Sequence, residues 1–174
     1  MISPTPRAPL DSWPVQAFDA RFGLGWWTDP AVLVFQATVE QATAENAELV
    51  QSWIDLALRH RKEEIAEAGG LFIFHDWRSV RAYDTEARKA YLARMRARPR
   101  DYLRHSVTVI SAASPLLRMA VETGNLVASM VAGRKVEIAH DPVAVMREHE
   151  IRPPAIGTRF PGTGRPSSRP PVAR

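Results

Sequence analysis

The sequence predicts an α/β fold: a mostly parallel sheet of four to five strands, entered through an N-terminal hairpin and covered by about four helices. Three observations carry this. Short β-branched or fully apolar runs recur along the chain, as "VLVFQATV" at 32–39, "LFIF" at 71–74 and "SVTVIS" at 106–111. Between them apolar residues return at three- and four-residue spacing. Capping and turn residues separate the two patterns. The order reads β-β-α-β-α-β-α-β-α, and strands that alternate with helices argue for parallel pairing through right-handed crossovers.

Each element follows from local chemistry. Residues 1–14 hold Pro4, Pro6, Pro9 and Pro14 and predict an irregular lead-in. A first strand falls between Val15 and Trp27, broken by Gly23 and Gly25, and "TDPA" at 28–31 turns the chain into the second strand at 32–39. One of Trp26 and Trp27 is expected inside, its neighbour on the opposite face. Thr43 is a good N-cap, with Glu45 in the first turn. Helical spacing through Ala47, Val50, Ile54, Leu58 and Ile65 predicts one helix over 44–67, ended by Gly69-Gly70. "LFIF" reads as a strand covered on both faces, followed by a helix over 84–97. After the strand at 106–111, Ser114-Pro115 opens a helix from Leu116 to about Met130. Its Leu116, Met119, Ala120, Val127 and Met130 share one side, and Gly124-Asn125 weakens its middle. "KVEIA" at 135–139 is a last short strand, and Asp141-Pro142 opens a final helix to about His149.

The domain is thus expected over 15–151. Residues 152–174 mix Pro, Gly, Ser and Arg and predict a disordered Pro/Arg-rich tail. With 45% apolar residues in 174, one core is well supplied. There is no cysteine, which excludes disulfides, thiolate nucleophiles and Cys-based zinc sites. No run has the length and apolarity of a membrane span, and "MISPTPRAPLDSWP" lacks the apolar stretch of a signal peptide, so a cytoplasmic protein is expected. The net charge of +4 is concentrated at the C-terminus, where residues 152–174 hold five arginines and no acid.

Little points to catalysis. His75 and Asp76 are adjacent on a strand and face opposite ways, so they do not make a dyad. Ser79, Ser111 and Ser114 lack a nucleophile elbow. His60, His75, His105, His140 and His149 show no ligand spacing, and no cofactor or metal is expected. Asp76 itself either anchors a loop that a partner reads or accepts from loop N–H groups, Arg78 or Arg88. Charge is more telling. Residues 81–104 hold eight bases and three acids, and residues 40–67 hold seven acids and three bases. Opposed charges of this kind suit an acidic partner or contact between copies. The alternatives are nucleic-acid association through the basic helix and Arg-rich tail, and a small hydrolase or ligand carrier using Asp76, His75 and Ser114.

Four segments carry a family resemblance: "GLFIFHDWRSV" at 70–80, "EAR" at 86–88, "SVTVISAASPLLRMAV" at 106–121 and "VEIAHDPVAVM" at 136–146. Over roughly residues 15–150 their order resembles the STAS-like proteins (sulfate transporter and anti-sigma factor antagonist fold) of the bacterial sporulation-antagonist branch. The resemblance implies a non-enzymatic regulatory module that docks to a protein partner, itself included. Asp76, Trp77, Arg78, Arg81, Arg88, Arg94 and Arg98 then form the expected partner surface. It also implies a Ser or Thr switched by phosphorylation near the helix after the third strand. Ser79 and Thr85 lie there, in "DWRSVRAYDTEAR" rather than the family's "D-S-S-G"-like loop.

Overall fold

Val32–Ala37 and Leu71–Asp76 form two adjacent parallel strands in which successive residues enter two different cores. Leu33, Phe35, Leu71 and Ile73 face one way, and Val32, Val34, Phe72 and Phe74 the other. Both faces are therefore covered, which is why these runs are continuously apolar. The computed structural model describes residues 9–113, 115–134 and 136–163. It is an α/β fold built on a six-stranded sheet.

The strands are β1 (Ala17–Asp19), β2 (Gly23–Thr28), β3 (Val32–Ala37), β4 (Gln41–Ala42), β5 (Leu71–Asp76), β6 (Ala82–Tyr83), β7 (Leu103–Val109) and β8 (Val136–Ala139). The helices are α1 (Ala44–His60), α2 (Lys62–Glu67), α3 (Thr85–Arg96), α4 (Pro115–Ala132) and α5 (Pro142–Glu148). In the main sheet the order is β1-β2-β3-β5-β7-β8. The first three strands are antiparallel neighbours, and β3, β5, β7 and β8 run parallel. A separate two-stranded parallel pair, β4 with β6, lies beside it.

Helices α1, α2, α3 and α4 contribute to the larger core, and α5 packs on the other face with Leu10 and Trp13 of the lead-in. Thr43 caps α1 in a reciprocal box: Asn46 N–H donates to Thr43 Oγ1, and Thr43 N–H donates to Asn46 Oδ1. Such caps are worth about 1 kcal/mol. Asp84 and Asp141 cap α3 and α5 more simply, their carboxylates accepting from backbone N–H groups of the first turn.

Several expectations need correction. The expected first strand is two strands, because residues 20–22 turn the chain between β1 and β2, and Gly23, at φ 146°, opens β2 close against the Gln36 carbonyl. Gly25 does not break β2; it makes room for Trp53 and Phe160 against the sheet. The helix expected over 44–67 is divided at Arg61, whose φ and ψ are −126° and 28°. Arg61 instead lies over the Trp27 ring and pairs with Glu64. Trp26 and Trp27 do face opposite ways, but both are 1% exposed, because the lead-in covers the second face.

The tail does not begin at Arg152. Residues 152–163 have no helix or strand, yet Phe160 is 2% exposed and sits in the larger core against Trp53. One large aromatic outweighed the Pro and Gly around it. The expected disorder of residues 164–174 lies outside the described residues, as does Ser114. No helix among the described residues is long and apolar enough to cross a membrane.

Candidate functional site

The loop after β5 is held from several sides. Asp76 is 2% exposed and receives Arg78 through both carboxylate oxygens, Nε to Oδ1 and Nη2 to Oδ2, each at 2.9 Å. The Arg78 backbone N–H also donates to Oδ1 at 3.2 Å. That bidentate pair, with Asp11 and Asp141 nearby, raises the Arg78 pKa above its ordinary value. Trp77 is buried, its N–H donating to Val109 O at 2.8 Å, and Val80 N–H closes a turn onto Trp77 O. The Ser79 hydroxyl donates to the Ala37 carbonyl. Arg81 is exposed, with Glu40 at 3.4 Å. Beyond the carboxyl ends of β5, β7 and β8 these residues border a crevice of about 570 Å³, lined by Arg78, Arg81, Ser111, His140 and Asp141. Ligand crevices of open α/β sheets lie at this end.

His75, one residue earlier, enters the other core. Its Nε2 meets the Tyr91 hydroxyl at 3.0 Å, and Phe35 stacks on its ring. Burial lowers its pKa to about 3, so the imidazole is neutral. Burial likewise raises the Tyr91 phenol. Around them lies a small cavity of about 40 Å³, also bordered by Trp77, Thr108 and Asn125. His75 Nδ1, Trp77 Nε1 and Asn125 Nδ2 have no hydrogen-bond partner among the described residues. The space and the unpaired polar atoms suit ordered water.

Of the expected partner residues, the structure brings Asp76, Trp77, Arg78 and Arg81 together in the loop, places Arg88 and Arg94 on α3, and sets Arg98 just past its end. Arg94 and Arg98, however, face α1. Arg94 reaches Glu48 and Asp55, and Arg98 reaches Asp55 and Gln51 with its side chain 7% exposed. Much of the charge opposition seen along the sequence is thus met within one chain. Arg88 packs toward Gly124 of α4. Trp77 and Arg98, being buried, do not form an outer surface as expected. Of the candidate phosphosites, Thr85 is exposed at the start of α3 and Ser79 is held on Ala37.

Sequence reasoning placed the apolar side of α4 without saying where it points. In the structure the inward face is Leu117, Val121, Gly124, Ala128 and Ala132. Leu116, Met119, Leu126 and Met130 are 60–77% exposed. At 3.6 residues per turn these four fall within an arc of about 80°. Next to Met130, a groove of about 480 Å³ opens between the ends of α3 and α4, bordered by Arg96, Pro99, Arg100, Val127 and Val131. The signal for this face was in the sequence: α4 has more apolar residues than one packed face can use.

Compared with known proteins, the chain finds no matching family model, and no curated protein or solved structure matches it significantly.

Proposed function

We propose that this is a non-catalytic regulatory or scaffolding module of STAS-like type, acting in the bacterial cytoplasm by binding a protein partner. The STAS-like reading rests on element order, and the parallel adjacency of β5, β7 and β8 agrees with the sheet it requires. The fixed loop at 76–83 and α3 frame the interface, and the outer face of α4 supplies its apolar centre. The single observation behind this is the exposed stripe of Leu116, Met119, Leu126 and Met130 on one helix. Contiguous apolar surface beside polar groups is characteristic of docking sites.

The occupant is an apolar-faced, acid-flanked segment of another protein. Arg96 and Arg100 are exposed where the stripe meets the groove, and they complement carboxylates. Among the described residues no carboxylate lines this groove, so a second copy presenting the same groove would bring no acid to these cations, which favours a different, acidic partner. Thr85 is the accessible candidate for a phosphoswitch beside this surface.

The test compares wild type with Leu126→Glu and with Arg96→Glu/Arg100→Glu in co-purification from the native host, followed by titration of the recovered protein. A partner lost with Leu126→Glu, weakened by the charge reversal and weakened by salt supports the reading. Equal binding by wild type and both variants overturns it. A wild-type dimer that Leu126→Glu converts to monomer replaces the heterologous partner with a second copy. Salt-sensitive binding of nucleic acid, unaffected by Leu126→Glu, favours phosphate recognition instead.

A further inference from the structure

On the face covered by α5, three potential metal ligands from separate elements converge. His105 stands on β7, Glu137 on the adjacent β8, and His149 at the C-terminal cap of α5. His105 Nε2 lies 3.2 Å, and His149 Nε2 3.6 Å, from the same oxygen, Glu137 Oε2. One ligand atom from each residue lies within 4.8 Å of the other two. All three side chains are 22–30% exposed, so the cluster is fixed by packing yet open to solvent. Phe72 lies 5.2 and 5.1 Å from the two imidazoles, which are themselves 4.9 Å apart.

One carboxylate oxygen thus serves two imidazole nitrogens. It accepts a hydrogen bond from an Nε2–H at 3.2 Å, but 3.6 Å is too long for a second. His149 Nε2 is a buried atom with no hydrogen-bond partner among the described residues. A cation between the three groups removes this deficit. With metal–ligand bonds of about 2.0–2.2 Å, neighbouring donors around a first-row divalent ion lie about 3.0–3.5 Å apart. The observed cluster approaches that spacing and needs only a small closing of the imidazoles.

We propose that His105, Glu137 and His149 bind a divalent first-row transition ion. Two imidazoles and one carboxylate suit zinc or iron(II) and leave coordination positions open; calcium and magnesium prefer all-oxygen sites. The site adjoins a cleft of about 660 Å³ that Arg104 and Arg152 also line. Arg104 is occupied by the Pro30 carbonyl at 3.1 Å and by the face of Phe72. Its charge and that of Arg152 favour an anionic group in the open positions, a carboxylate or phosphate.

Isothermal titration of the untagged full chain with zinc sulfate, in a non-chelating buffer, tests this. The expected result is saturable 1:1 binding that His149→Ala and Glu137→Gln each weaken by about tenfold or more. His60→Ala, on the exposed end of α1, leaves it unchanged. Binding insensitive to both site variants, or no saturable binding, overturns the proposal. If either variant fails to fold by circular dichroism, cobalt(II) titration of wild type decides: visible d–d bands that zinc displaces support the site, and their absence overturns it.

Discussion

Arg98 reaches from just past α3 to α1 and sets two guanidinium nitrogens on one oxygen of Asp55, at 3.0 and 2.6 Å. It also donates to the Gln51 side-chain oxygen and, at 3.0 Å, to the Gln51 backbone carbonyl, while lying 5.3 Å over the Tyr102 ring. A guanidinium bound so completely joins two helices. Arg98→Ala removes the cation and leaves Gln51 and Asp55 acceptors unmet, which costs about 2–4 kcal/mol. Arg94, 39% exposed, contributes less than about 1 kcal/mol. Urea unfolding of the two alanine variants measures both. A stability of Arg98→Ala equal to wild type would mean that α1 and α3 are held by their apolar contacts alone.

The two faces of α4 differ in what they support. Leu117 and Val121 are each 2% exposed, and their replacement by alanine leaves cavities costing about 1–4 kcal/mol. Leu126→Glu and Met130→Glu place charge where water already is and change stability by no more than about 0.5 kcal/mol. Thermal melts of the four variants test this. A large loss from Leu126→Glu would show that this side of the helix is covered in the folded chain.

Strand positions were legible because Leu71–Phe74 is apolar on every residue and Val107–Val109 is β-branched on every residue, patterns that suit strands of a sheet covered on both faces. Helix starts were legible through Thr43 and Asp141, whose side chains do what capping residues do; the cap by Asp84 emerged only in the structure. The direction of α4 was not legible. Two apolar arcs on one helix give periodicity without saying which arc meets the sheet, and small Gly124 and Ala128 permit the closer packing. The His105–Glu137–His149 cluster left no spacing signal, since each ligand belongs to a different element and only strand register and α5 packing join them. The pairing of α1 with α3 was visible as opposite charge blocks, but charge alone does not distinguish contact within a chain from contact between chains.

The clamp between Asp76 and Arg78 makes the loop after β5 a preset shape. Asp76→Asn keeps the size of the side chain and removes the charge that orients Arg78. The expected cost is about 1–3 kcal/mol, with faster hydrogen exchange at the Val80 amide, which bonds to Trp77 O. Exchange by NMR reads this directly. Unchanged protection at Val80 would show that Ser79 and Trp77 hold the turn without the ion pair.

His75 gives stability a pH dependence of definite sign. Its folded-state pKa, lowered by burial to about 3, lies below the ordinary value of 6.5. Between these values the unfolded chain takes up a proton that the folded chain does not. Stability from this residue is therefore complete above pH 6.5 and declines as pH falls towards 3, by up to about 1.4 kcal/mol per pH unit. Urea midpoints at pH 7, 6 and 5 should fall in wild type and fall less in His75→Phe. Identical slopes would show that the imidazole gains a proton in the folded state, by access of water to the cavity beside it.

Phe160 tests how far the folded unit extends. Its ring is 5.4 Å from that of Trp53, and a Cβ on Gly25 would come within 3.0 Å of Phe160 and 3.1 Å of Trp53. Arg61 holds the same segment through the Arg159 carbonyl. Phe160→Ala is expected to cost about 3–5 kcal/mol, as for any fully buried aromatic, and Gly25→Ala about 1–3 kcal/mol through crowding. Because both changes act on the same contact, the double variant should be less destabilised than the sum: without the Phe160 ring, the added methyl meets less resistance. Denaturant unfolding of the two single variants and the double closes the cycle. Strict additivity would separate Gly25 from Phe160 and leave the docking of residues 152–163 to their other contacts.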